Sequence, residues 1–253
     1  MNDDFYIGWE DKPAPGVRKT VHRAVIILIW IAFIASLGLA VSQRMIGASV
    51  FEWGDVKHFS GIFQATPYPH LLVSRPGNAD AGRFSSYYLV APFKFGLDPG
   101  ATAPFDGRYV ALKGTLIYRG NQTMLEVVKD SIRLDESNST LPVLPQAIPL
   151  GEQTLIGEIV DSKCYLGVMN PGQLAPHRAC AIRCISGGIP PVLLVRQKNG
   201  PPIYLLLVST EGKPVNQRVL DLVAEPVQIT GAVERQGDLL ILRADPAKYQ
   251  RVR

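Results

Sequence analysis

The sequence predicts an all-β protein, made of two tandem small β-barrel modules of the OB type that follow one N-terminal transmembrane helix. Three observations support this prediction. A long uncharged apolar stretch stands near the N-terminus, short apolar runs between turn residues make up the rest, and those runs recur in two copies. The 23 glycines and 20 prolines among 253 residues also favour turns and short strands over long helices.

The composition excludes several classes of protein. Hydrophobic residues make up 47% of the chain and charged residues 19%, so the chain is not intrinsically disordered. Three cysteines are too few for a disulfide-rich scaffold. The net charge is only +4, and basic residues alternate with acidic ones instead of clustering. We therefore predict no nucleic-acid partner.

The apolar stretch runs from Ala24 to Val41 and contains no charged residue. At about 1.5 Å per residue it spans about 27 Å, which is enough to cross a bilayer core. Basic residues precede it, and only Arg44 follows it before Lys57, so the positive-inside rule places the N-terminus in the cytoplasm. A cleaved signal peptide is the alternative, since Ala40-Val41-Ser42 resembles a cleavage site. The length of the stretch favours a retained anchor.

An internal repeat is visible when the two halves of the chain are aligned. In both copies a glycine stands in the first strand, and a Gly-x5-Gly spacing stands in a late strand. About five strands with such glycine kinks are typical of a small OB-type barrel. The matched segments are Phe59–Phe63 with Leu155–Ile159, Leu71–Val73 with Leu193–Val195, Tyr88–Val90 with Tyr204–Leu206, and Val110–Gly120 with Val227–Gly237.

The second copy carries an insertion that the first copy lacks. Gly61 and Leu71 are 10 residues apart, whereas their counterparts Gly157 and Leu193 are 36 residues apart. All three cysteines lie in this insertion, so we expect the chemistry there. The predicted parts are a cytoplasmic leader (1–23), a transmembrane anchor (24–43), a first module (52–135), a Ser-, Asn- and Pro-rich linker (136–151) and a second module (152–247) with the insertion at 164–190.

The insertion contains a predicted short helix. Pro176 suits the first turn of this helix, and Gly187 suits its end. One histidine and two cysteines fall on one helical face at positions i, i+3 and i+7, and the third cysteine ends the preceding strand, from which it can close over that face. The sequence therefore predicts a metal site formed by Cys164, His177, Cys180 and Cys184.

Three interpretations of these cysteines remain open. The first is a tetrahedral site for one zinc, copper or iron ion. The second is a structural disulfide between Cys164 and either Cys180 or Cys184, as an oxidising compartment favours. The third is a reactive thiol tuned by His177. The odd number of cysteines keeps the first and third open, because one disulfide leaves one thiol unexplained.

Part of the chain resembles a known group of proteins. The group consists of small secreted bacterial domains that share a Cys-Tyr-Leu, a His-x2-Cys-Ala-x2-Cys and a Gly-x-Pro motif. The resemblance covers residues 153–245 and implies an OB-type barrel with a Cys/His site, but no reaction. The matching segments are Gly157–Asp161, Cys164–Leu166, His177–Cys184 and Gly188–Pro190.

These features predict a single-pass protein of a bacterial inner membrane whose bulk lies in the periplasm. We expect an accessory protein that handles metal or serves as a subunit of a membrane redox complex, with a membrane-protein partner. The alternative is a non-catalytic binding or scaffold module whose cysteines form a disulfide, and a thiol-redox protein is the third candidate. No phosphate loop, Gly-x-Ser-x-Gly or His-Glu-x-x-His motif is present to indicate an enzyme.

Overall fold

A computed structural model describes residues 14–43, 49–74, 84–136 and 144–252 of the chain. The chain divides into two compact units, Met1–Gly47 and Ala48–Arg253. Residues 1–13 of the predicted leader and residues 137–143 of the predicted linker lie outside the described residues.

The described residues of the first unit form one helix, α1 (Pro15–Gln43). Its apolar residues face outward on every side, and the helix is long and apolar enough to cross a membrane, a property that an N-terminal signal sequence shares. The helix begins nine residues before the predicted anchor because Pro15 suits a first turn, so the helix also includes the basic residues Arg18, Lys19 and Arg23.

The second unit is mostly β and contains two closed five-stranded barrels, which confirms the predicted fold class. The strands of the first module are β1 Val50–Phe51, β2 Lys57–Gln64, β3 His70–Ser74, β4 Phe84–Val90, β5 Tyr109–Arg119, β6 Gln122–Val127 and β7 Arg133–Leu134. In the first barrel the strand order is β5-β2-β3-β4-β6, and pairing of β6 with β5 closes the barrel. Strands β4 and β6 are parallel, and the other pairs are antiparallel.

The second barrel repeats this topology with the order β11-β8-β9-β10-β12, closed by pairing of β12 with β11. Here β10 and β12 form the parallel pair. Strand β8 begins inside the predicted linker, because its first residue already pairs with Gln236 of β11. The strands are β8 Ala147–Asp161, β9 Pro191–Val195, β10 Ile203–Val208, β11 Pro226–Gln236, β12 Leu239–Arg243 and β13 Gln250–Arg251, and two short helices are α2 Pro99–Thr102 and α3 Arg178–Ser186.

The repeated glycines mark places where neighbouring strands cross closely. A Cβ atom at Gly157 in β8 would lie 2.7 Å from the carbonyl oxygen of Leu194, and one at Gly114 in β5 would lie 3.0 Å from that of Glu126. The distance at Gly157 is too short for a side chain, and the one at Gly114 would force the neighbouring strand to shift, so both positions favour glycine where the barrels close. The glycine pattern in the sequence thus reports the curvature of the sheets.

The described residues of this unit form four buried apolar clusters. One large cluster lies within each barrel, a third is shared between the barrels, and a small fourth cluster of Ile62, Leu72 and Phe84 lies in the first barrel. The shared core joins side chains of the first barrel to the π-helical turn Cys164–Val168 and to α3 of the second. The two modules are therefore packed into one body. Residues of the shared core include Tyr88, Ile117, Met124, Val160, Leu166 and Cys184.

A buried lysine crosses the contact between the barrels. Lys163 lies two residues after the end of β8 and is only 1% exposed. Its ammonium group donates to the carbonyl oxygens of Ala91 (2.9 Å) and Phe93 (2.7 Å) and forms an ion pair with Glu126 at 2.6 Å. All three partners belong to the first module. Because a buried charge needs such partners, these contacts hold one segment of the first module against the second.

Replacing Lys163 by methionine should lower the free energy of unfolding by about 3–5 kcal/mol, since the substitution leaves the Glu126 carboxylate and two carbonyl oxygens without their partner. Urea unfolding followed by circular dichroism measures this change. The matched control is Lys113→Met on the exposed side of β5, which should change the free energy of unfolding by less than about 0.5 kcal/mol. Equal effects of the two substitutions would contradict a stabilising role for the contacts of Lys163 between the two modules.

A buried histidine lies in the first barrel. His70 at the start of β3 is 2% exposed, and its Nδ1 lies 2.9 Å from the carbonyl oxygen of Tyr68. Burial lowers the pKa of His70 below its ordinary value of 6.5, because the charged imidazolium would lose its hydration. The folded protein therefore holds this histidine in the neutral form at neutral pH.

This depressed pKa predicts a pH-dependent stability. Below about pH 6.5 the unfolded chain binds a proton at His70 while the folded chain does not, so the free energy of unfolding should fall with decreasing pH, by at most about 1.4 kcal/mol per unit. Urea unfolding at about pH 7.5 and about pH 5 measures this slope. His70→Gln should reduce it, whereas His58→Gln, at an exposed position of β2, should leave it unchanged. If His70→Gln leaves the slope of the free energy of unfolding against pH unaltered, that slope comes from other titratable groups.

Candidate metal site

Three cysteines converge between α3 and the turn after β8. Their sulfur atoms all lie within 4.8 Å of one another, and the Sγ atoms of Cys164 and Cys184 are 3.9 Å apart. Cys164 and Cys184 are buried, whereas Cys180 is half-buried. All three are free thiols, and 3.9 Å is about twice the length of a disulfide bond. The structure therefore contains a cluster of thiols and not the disulfide considered above.

Local sequence features place the cysteines. The Asp161 carboxylate accepts a hydrogen bond of 2.8 Å from the backbone N–H of Cys164 and so fixes the turn after β8. A 3₁₀ turn, Ala175–His177, contains Pro176 and leads into α3. The backbone N–H of Gly187 caps the other end of α3 on the carbonyl oxygens of Arg183 and Cys184. Both ends of the predicted helix are thus confirmed to within a few residues.

The predicted fourth ligand, His177, lies beside the three sulfurs in a second set of groups. Its Nε2 is 2.8 Å from a carboxylate oxygen of Asp161, and both side chains are buried. His177 forms a close set with Asp161 and Cys164 but not with all three sulfurs. The residue is the N-cap of α3 and has helical backbone angles, but its ring contacts Asp161 instead of joining all three sulfurs. Asp161 is a site residue that the sequence did not single out strongly.

A second missed residue, Lys94, comes from the first module. Its ammonium group lies 2.7 Å from the sulfur of Cys180 and 3.9 Å from that of Cys184. This contact raises the pKa of Lys94, because a thiolate stabilises the charged ammonium. No motif marks Lys94, and it stands 86 residues before Cys180, so only the folded structure could reveal it.

The thiols of Cys164 and Cys184 differ in their ionisation. A hydrogen bond between the two thiols raises the pKa of Cys164, and burial raises it further. The same hydrogen bond lowers the pKa of Cys184, and Lys94 contributes in the same direction. In the metal-free cluster the Cys184 thiol therefore gives up its proton more readily than the Cys164 thiol.

Lys94 reaches the cluster because the segment around it is tightly fastened. We name residues Ala91–Leu97 the strap. Lys163 holds two of its carbonyl oxygens, and the backbone N–H of Gly96 donates a bond of 2.9 Å to the carbonyl oxygen of Gly187. At its tip, Phe93 has a φ of +62° and is 80% exposed. The strap therefore brings a cation to the thiols and keeps the aromatic ring beside it in solvent.

Comparisons with known proteins identify no family for this chain. No family model and no curated protein matches it. Among solved structures the chain is similar to the crystal structure of wild-type single-stranded DNA binding protein from Thermus aquaticus. The two are 12% identical, the match covers 82% of this chain and 95% of that chain, and the TM-score is 0.23. A likeness at this level assigns no ligand to this chain.

That solved structure is of a DNA-binding protein, so it gives no support to the prediction that excluded nucleic acid as a partner. That prediction is wrong in its reasoning. It rested on the scatter of basic residues along the sequence, but folding brings distant residues together, and charge scattered in sequence can therefore lie on one surface. The comparisons also give no support to the predicted membrane-protein partner.

Tight packing of the strap against α3 makes Gly96 a sensitive position. A Cβ atom there would lie 2.5 Å from the carbonyl oxygen of Gly188. Gly96→Ala should therefore displace the strap, lower the free energy of unfolding by about 1–3 kcal/mol and speed alkylation of Cys180 in the native protein. The control is Gly100→Ala, where the nearest atom is 3.5 Å away. If Gly96→Ala matches this control in stability and alkylation rate, the strap does not cover the cluster.

Proposed function

We propose that this chain is a membrane-anchored metal-handling protein, and that Cys164, Cys180 and Cys184 bind one thiophilic metal ion. The single observation that carries the proposal is the convergence of three free sulfurs within 4.8 Å. Two of them come from α3 and one from the turn after β8, so two separate elements of the fold bring the sulfurs together. Thiolates prefer zinc, cuprous copper and iron among the biological metals.

The number and burial of the thiols support metal binding over a purely structural role. A structural disulfide needs two cysteines and a sulfur separation of about 2 Å. Here a third sulfur lies in the same cluster, and the buried pair is 3.9 Å apart. In an oxidising compartment free thiols become disulfides unless something protects them. A bound metal ion would supply that protection to all three.

The surroundings of the cluster suit an ion that enters and leaves. Cys180 is half-buried, so an incoming ligand can reach its sulfur, whereas Cys164 and Cys184 lie deeper. The Lys94 ammonium offsets part of the negative charge that thiolates bring together. Asp161 and His177 add a neighbouring polar pair that shares Cys164 with the cluster. These features are those of a handling site with one accessible ligand.

In this proposal α1 crosses the membrane once, with its N-terminus in the cytoplasm. Arg18, Lys19 and Arg23 lie in the N-terminal part of the helix, as the positive-inside rule requires of the cytoplasmic end. The barrels then lie on the periplasmic side of a bacterial inner membrane, consistent with the resemblance of residues 153–245 to secreted bacterial domains. Anchoring raises the effective concentration of the site near the membrane surface.

Elemental analysis of the full chain, purified anaerobically in detergent, tests the proposal. We expect one equivalent of zinc, copper or iron per chain, and we expect Cys164→Ser, Cys180→Ser and Cys184→Ser each to remove it. Met169→Leu is the matched control, because it removes a sulfur from a position that is 45% exposed. Added metal should also raise the Tm of the metal-free wild type.

Two results would contradict metal binding. A metal-free protein with one free thiol would support a disulfide-stapled scaffold. A metal-free protein with three thiols, of which Cys180 alkylates rapidly, would support the second candidate, a thiol-redox protein. That candidate is favoured by one observation, the ammonium group of Lys94 at 2.7 Å from the half-buried Cys180 sulfur.

A further inference from the structure

We infer that the ion at this site is Cu(I), held by the three thiolates alone, and not a four-coordinate Zn(II). The inference rests on the proposed function and adds the identity and coordination number of the metal. Both ions accept thiolate ligands, so sulfur alone does not separate them. They differ in the number of ligands they need, because structural zinc sites are four-coordinate and tetrahedral.

The first argument concerns the one protein group that would complete a tetrahedral site. His177 is not within the close set of three sulfurs. Its ring is tied by a 2.8 Å contact to Asp161, a carboxylate that is 0% exposed. If Nε2 of His177 turned away to join the sulfurs, that buried carboxylate would lose a partner, which is unfavourable. Nε2 is therefore occupied by Asp161, and neither ring nitrogen belongs to the set of three sulfurs.

The second argument is that the carboxylate itself is committed. One oxygen of Asp161 accepts the hydrogen bond from the backbone N–H of Cys164, and the other contacts His177. If Asp161 became a metal ligand through the oxygen that faces His177, it would lose that contact. The polar pair forms a second set of groups with Cys164, but that set contains a single sulfur, whereas the cluster of Cys164, Cys180 and Cys184 consists of sulfur ligands alone.

The third argument concerns the group that lies against the half-buried sulfur. The ammonium group of Lys94 lies 2.7 Å from Cys180 and 3.9 Å from Cys184. A protonated amine has no lone pair to give to a metal, so Lys94 offsets negative charge without adding a fourth ligand. Its position is fixed by the strap, which Lys163 and the contact between Gly96 and Gly187 hold in place.

Together these contacts describe a site with three soft ligands and, among the described residues, no fourth protein ligand in the same set. Three sulfurs within 4.8 Å of one another suit a soft monovalent ion that accepts low coordination numbers. Three thiolates and Cu(I) carry a net charge of −2, and the Lys94 ammonium reduces this to −1. Cys180, the half-buried member, is the ligand through which the ion can be exchanged.

Competition titrations of the reduced, metal-free full chain in detergent test this inference. Under anaerobic conditions Cu(I) is titrated against the chelator bicinchoninate, and Zn(II) is titrated against a chromogenic zinc chelator. We expect one equivalent of Cu(I) to bind and to resist displacement by excess Zn(II). Cys180→Ser should weaken Cu(I) binding by more than about 100-fold, whereas His177→Gln changes only an outer partner and should weaken it by about tenfold.

X-ray absorption spectroscopy of the copper-loaded wild type gives a readout that does not depend on whether any variant folds. We expect scattering from three sulfur neighbours and no nitrogen neighbour. A bound nitrogen, or a loss of Cu(I) in His177→Gln with an unchanged circular dichroism spectrum, would overturn the three-thiolate site. Tight Zn(II) binding that excludes Cu(I) would overturn the inference and leave the proposed function standing. Binding of no thiophilic metal would overturn both.

Discussion

The burial of one ammonium group, that of Lys163, is the constraint on which the arrangement of the two barrels depends. A charge at 1% exposure must find partners inside the protein, and all of its partners lie in the first module. They are the Glu126 carboxylate and two carbonyl oxygens of the strap. Since Cys164 is the next residue along the chain, the same contacts also set how the strap lies relative to the thiols. The contacts of Lys163 therefore affect both the packing of the two barrels and the geometry of the thiol cluster.

Much of the fold could be predicted from the sequence because its signals are local or periodic. The glycines at 114 and 157 are needed where strands cross closely, and such positions recur in both copies. Pro176 and Gly187 mark the limits of a short helix through backbone preferences that depend on few neighbours. The three cysteines were found in the same way, because their spacing on one helix and its preceding strand is a local property.

The rest of the site depends on contacts that no local signal reports. Lys94 reaches Cys180 only because two barrels pack face to face, and a repeat in sequence does not say which faces meet. His177 carried the expected spacing, but it precedes α3 and is bound by Asp161, a buried carboxylate that competes for the ring. Helical spacing predicted that the imidazole would face the cysteines, but the contact with the buried side chain of Asp161 decided where the ring lies.

The strap has a consequence for the two halves of the repeat, which share a topology but divide the labour. The second copy supplies all three cysteine sulfurs of the cluster, and the first copy supplies the cation that faces them, Lys94. If the chain were cut between the copies, one fragment would hold bare thiols beside an uncovered apolar face, and the other would hold a strap with nothing beneath it. The two copies of the fold therefore form one structural unit. Neither copy alone contains both the cysteine sulfurs and the lysine that contacts them.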